Sequence, residues 1–75
     1  MHIMEESFPE HAVSLRHGRG VDSVLDEICR DYETLSIDLQ EAERSEGRLD
    51  RGYQVKLRDS LKGLREEILA RLRML

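Results

Sequence analysis

Leu57-Arg58-Asp59-Ser60-Leu61-Lys62-Gly63-Leu64-Arg65-Glu66-Glu67-Ile68-Leu69-Ala70-Arg71-Leu72 decides the fold. Its apolar residues Leu57, Leu61, Leu64, Ile68 and Leu72 recur at steps of four and three. That spacing puts them on one stripe of an α-helix, whereas a strand would alternate by two. The stripe reaches back to Tyr53 and on to Leu75. Upstream, Val21, Leu25, Ile28, Tyr32, Leu35, Leu39 and Ala42 form a matching stripe. Between the two, Gly47 suits the position just past a helix end and Asp50 suits the cap of the next helix. Two amphipathic helices joined by a glycine-containing break read as an αα-hairpin, with arms over 23–45 and 51–74. One continuous rod across the break is the competing geometry. Gly47 and Gly52 would each cost it about 1 kcal/mol relative to alanine.

Ahead of the first arm, Asp22 or Ser23 supplies a helix cap, and Gly18-Arg19-Gly20 reads as a turn. Ser7-Phe8-Pro9-Glu10 has the spacing of a capping box, with Pro9 in a first turn where its missing N–H is harmless. A short helix over 8–17 follows, with Phe8, Ala12 and Leu15 inward, Val13 near them, and Gly18 just past its end. Ten residues do not hold a helix alone, so this one must dock on the hairpin. Residues 1–6 show no period and read as a flexible terminus, leaving 7–75 as a single helical domain. The expected architecture is therefore all-α: a short helix packed on a long antiparallel, coiled-coil-like hairpin. Ile37, Val55, Leu69 and Met74 lie off the seam. Burying them against a second hairpin would make a homodimeric four-helix bundle.

Charge divides the chain at the same break. The first 47 residues hold 12 acidic and 4 basic side chains, and the remaining 28 hold 4 acidic and 8 basic, for a total of −4. Arms of opposite sign attract, within one chain or across a dimer. Charged residues make up 37% of the chain and aromatics 4%, which suits exposed helices rather than a thick core. A lone Cys29 excludes an internal disulfide. Glu5, Glu6, Pro9 and Glu10 break any signal-peptide core, and no apolar run could span a membrane. A reduced, cytoplasmic setting is the expectation.

Three stretches resemble the small bacterial YdcH-like proteins, helical hairpins of unassigned function. They are Phe8-Pro9-Glu10-His11, Ile28-Cys29-Arg30-Asp31-Tyr32-Glu33-Thr34-Leu35 and the segment from Leu57 to Ile68. Together they span most of residues 8–72. The second arm carries arginine where that family is lysine-rich, and the first lacks a second aromatic. The resemblance implies the hairpin fold and carries over no catalytic residues.

Candidate functional residues are few. Arg51, Arg58, Lys62, Arg65 and Arg73 share one stripe of the second arm with Leu69 among them, about a quarter-turn from the seam. Such a stripe can track phosphates. It can equally face Glu27, Asp31, Asp38 and Glu41 of the first arm or a second chain. Overall acidity and the lack of interleaved aromatics argue against nucleic acid. His2, His11, His17 and Cys29 lack the spacing of a metal site, and no cofactor motif is present. Asp26-Glu27 and Glu66-Glu67 are helix neighbours and do not face each other. The sequence thus reads as a non-enzymatic module or regulator presenting helix faces to a protein partner. The alternative is a dedicated chaperone or antitoxin-like protein whose acidic first arm neutralises a basic partner.

Overall fold

A computed structural model describes residues 3–44 and 51–75. The order is α1 (Ile3–Ser7), a 3-10 turn (Pro9–His11), α2 (Ala12–Val21), α3 (Ser23–Arg44) and α4 (Arg51–Leu72). Among the described residues there is no strand, and the fold is all-α. The helices pack together with α3 against α4, as a hairpin and not a rod. Each long helix has 22 residues, and the molecule measures 41 × 21 × 19 Å. Two ties fix the antiparallel register. At one end the Arg71 guanidinium donates to both carboxylate oxygens of Asp22, at 3.1 and 3.2 Å. At the other, Gln54 Nε2 donates to the Ala42 carbonyl oxygen at 3.3 Å. The expected roles of Gly47 and Asp50 lie outside the described residues, as do Met1 and His2.

The N-terminal region departs from the sequence reading in three ways. Residues 3–7 are helical rather than a loose end, and Ile3 and Met4 are buried in the core. The Ser7–Glu10 capping box does not form, because Ser7 closes α1. Phe8 then takes up an extended φ of −132°, and no side chain caps the turn that follows. A residue before proline is pushed out of the α region, so Pro9 breaks the chain one residue later than a Ser7 cap would require. Finally, α2 does not stop at His17. It runs through Gly18 and Gly20 to Val21, so the expected glycine turn is helix.

Gly18 is there for space rather than for a turn. A β-carbon on it would lie 2.6 Å from Leu75 Cδ1 and 2.7 Å from Leu25 Cδ2. The break falls instead at Asp22, in extended conformation. Its backbone N–H donates to the Gly18 carbonyl and ends α2, while its Oδ1 accepts from the Val24 and Leu25 N–H groups and starts α3. The Asp22 cap is the alternative of the two read from sequence that the structure uses.

The core gathers where α1 and α2 meet the hairpin. Phe8, Leu15, Leu25, Cys29 and Ile68 are almost wholly enclosed, with Ile3, Met4 and Tyr32 around them. Val13, expected near the inward residues, is 76% exposed; it sits two positions from Leu15, on the far side of α2. Of the seam, Leu57 and Ala42 are also buried, Ile28, Leu35, Leu39, Leu61, Leu64 and Leu72 are half-buried, and its ends Val21, Tyr53 and Leu75 are exposed.

Candidate docking face on the hairpin

One face of the hairpin is closed by the N-terminal segment. The Phe8 ring lies against Tyr32 of α3 with centroids 5.3 Å apart and planes tilted by 58°. On the α4 side the Arg65 guanidinium sits 4.6 Å from the Phe8 centroid, and its Nη1 donates to the Ser7 carbonyl oxygen at 2.9 Å. Phe8 therefore links both long helices at once. Its aromatic contact adds roughly 0.5–1.5 kcal/mol beyond area burial.

A charge cluster closes the seam between α2 and α3. Arg19 donates through Nε to Asp26 at 2.8 Å and through its two terminal nitrogens to the Glu33 carboxylate at 3.3 and 3.1 Å. Burial works against the Arg19 charge, but the hydrogen bonds to Glu33 and Asp26 outweigh it and raise its pKa. Arg19 in turn holds the Asp26 carboxyl below its ordinary range, helped by Arg30 one helical turn on. Arg71, followed by the Leu25 N–H, does the same for Asp22. Cys29 lies directly beneath, fully enclosed, and burial pushes its thiol up to about 11. A buried neutral thiol is the opposite of an activated nucleophile.

The other face is open. Asp31, Thr34 and Leu35 of α3 and Ser60, Gly63, Leu64 and Glu67 of α4 line a groove of about 470 Å³ between the helices. Its floor is apolar, from the half-buried Leu35 and Leu64. At Gly63 nothing lies within 4 Å of where a β-carbon would be, so no element of the described chain uses this glycine for close approach. The rim is acidic. Glu27 and Asp38 fall on the same helical stripe as Asp31 and Thr34, and Glu67 stands across from them, while the exposed Lys56 continues the Ser60, Gly63 and Glu67 stripe of α4 and leaves the rim net acidic. None of Glu27, Asp31, Asp38 and Glu67 pairs with a cation among the described residues. Of the first-arm carboxylates that the basic stripe of α4 could face, Glu27, Asp31 and Asp38 are therefore not met by it within the described chain. An ion pair does tie α4 to the start of α3, between Arg71 and the Asp22 cap, and neither residue belongs to the two stripes read from the sequence.

That basic stripe is itself divided. All five cations are exposed, but Arg65 alone is drawn onto Phe8 and the Ser7 carbonyl among the described residues. Leu69 is half-buried and packs on the core, so it is no stray apolar. Ile37, Val55 and Met74 are exposed, as the off-seam reading expects. Among the described residues no cluster of His, Cys, Asp and Glu has the makings of a metal site, and no helix is long and apolar enough to cross a membrane. Sequence reasoning missed Ile3, Met4, Arg19, Glu33 and Arg71. Only Arg71 had a legible signal, since an antiparallel hairpin puts its last turn beside the Asp22 cap. No family model, curated protein or solved structure matches the chain.

Proposed function

We propose that the chain is a non-enzymatic interaction module that receives a protein partner in the open groove between α3 and α4. The observation that carries this reading is the asymmetry of one seam. The N-terminal segment seals its upper side, while Leu35 and Leu64 are only half-buried on the lower side beside an unused glycine. Glycine in a helix interior costs about 1 kcal/mol relative to alanine, and no close contact among the described residues offsets that at Gly63. An apolar groove flanked by two parallel ridges is the shape that accepts a third helix. The YdcH-like resemblance belongs to the same proposal, as a hairpin scaffold with no catalytic constellation, and so does a cytoplasmic setting.

A photo-crosslinking residue placed at Ser60, in the groove, and separately at Arg58, on the basic stripe, tests this in cells. Ser60 is expected to trap a discrete protein adduct that disappears in a Leu35→Asp background, and Arg58 to trap none. Adducts from Arg58 alone would move the docking surface to the basic stripe and sink the proposal.

A further inference from the structure

Resting on the docking reading above, we infer that the groove's occupant is an amphipathic helix of another protein, with lysine or arginine flanking an apolar ridge. The floor and the rim make separate demands. Leu35 and Leu64 call for an apolar ridge along the helix. The space over Gly63 lets that helix come close, since packed helices approach to about 8–10 Å and small residues allow the nearer end of that range.

The rim then sets the charge. Asp31 of α3 and Glu67 of α4 line the groove from its two sides, and Glu27 and Asp38 continue the Asp31 stripe along α3. None of the four has a cation partner among the described residues. A docking helix would draw these carboxylates partly out of water, and cations on its flanks would meet them in charge-assisted hydrogen bonds. A neutral or acidic helix would leave them less solvated and unpaired, at a cost.

A second copy of this chain fits poorly. A two-fold dimer through this face sets the same patch against itself, so both acidic rims would converge. The copy's own basic stripe lies elsewhere on α4, and reaching it would take a head-to-tail contact that does not close. Complementary charge here governs which partner is admitted and how fast it arrives, more than how tightly it holds.

The test uses three synthetic peptides of about 18 residues, long enough to hold a helix. One has a leucine ridge flanked by lysines, one has the same ridge flanked by glutamates, and one scrambles the lysine peptide so that no ridge forms. Binding is read by fluorescence anisotropy at low and at raised salt, with the full chain, with Gly63→Gln and with the triple variant Glu27→Gln/Asp31→Asn/Glu67→Gln. Gly63→Gln fills the groove without changing charge and replaces a helix-weakening residue, so it should fold at least as well as the parent.

The expected result is binding of the lysine peptide alone, weakened about tenfold or more by Gly63→Gln. The triple variant should weaken it comparably and flatten its salt dependence. Equal binding of the scrambled peptide, or indifference to Gly63→Gln, would reduce the effect to bulk charge attraction and overturn the inference. So would a glutamate peptide that binds as tightly. Sedimentation showing a parent dimer dispersed by Gly63→Gln would give the face to a second copy. If no peptide binds while the Ser60 crosslink persists, the docking face stands and the basic helix falls; if both vanish, the face falls with it.

Discussion

On the upper side of the hairpin, Phe8 is 1% exposed and touches α3 through Tyr32 and α4 through Arg65. On the lower side, Leu64 belongs to the same kind of helical stripe as Ile68, four residues on, yet it lines an open groove next to Gly63. The two sides of one seam thus have the same apolar chemistry and different covering. What separates them is a segment of about twenty residues at the N-terminus that packs over one side only. An amphipathic stripe says where a helix will be dry if something covers it; it does not say that anything does.

Truncation should expose the contrast most strongly. Phe8→Ala is expected to cost about 3–5 kcal/mol, because it leaves a cavity against Tyr32 and removes the surface on which Arg65 rests. A chain of this size has a total stability of roughly 4–11 kcal/mol, so the variant sits near the limit of folding. Leu64→Ala should cost less, about 1–3 kcal/mol, since that side chain is half-buried against the core rather than enclosed. Urea titrations of both variants decide the matter. Equal losses would mean that Leu64 is covered in solution, by a second copy or by chain outside the described residues.

The hairpin was legible from sequence because its signal is long. Two stripes with steps of three and four, a cap at Asp22 and complementary charge all point one way. The N-terminal region was not, because its signals are short and admit opposite readings. Ser7 ahead of Pro9 and Glu10 has the spacing of a capping box, yet it closes a helix already formed. Ile3 and Met4 show no period in five residues and are dry only through tertiary contact. Gly18 and Gly20 stand where a turn was expected, and the chain stays helical through both. The site was legible in its parts and not in its arrangement. The acidic and basic stripes are plain on a helical wheel, but the antiparallel packing that leaves Glu27, Asp31 and Asp38 unmet by the basic stripe within the described chain is not.

The two glycines give a smaller and sharper contrast, because the same substitution should act with opposite sign on the two sides. Gly18→Ala gains about 1 kcal/mol of helix propensity but drives a methyl group into Leu25 Cδ2, within the core. Overpacking of that kind typically costs about 1–3 kcal/mol, so a net loss is expected, softened to the extent that the exposed Leu75 side chain swings aside. Gly63→Ala meets open space and should stabilise by about 0.5–1 kcal/mol. Thermal melts of the pair check this. A destabilising Gly63→Ala would show that something already lies over the groove.

The smallest effect is expected at the end of the hairpin where the two sides meet, at Asp22. Asparagine caps a helix about as well as aspartate, so Asp22→Asn keeps the start of α3 and removes the charge paired with Arg71. Because Arg71 and the Leu25 N–H hold Asp22 below its ordinary value of 3.8, the unfolded chain takes up a proton first as the pH drops. The pair's stabilisation is therefore complete above the ordinary carboxylate range and is lost as the pH falls through the lowered folded value. Asp26, lowered by Arg19, follows the same course and is untouched by the substitution. The parent should melt slightly higher than Asp22→Asn at neutral pH, and that gap should close in acid, while the shared loss from Asp26 continues in both. A gap that survives unchanged at about pH 2.5 would mean that the hydrogen-bonding geometry of the Asp22 cap, and not its charge, ties α4 to α3.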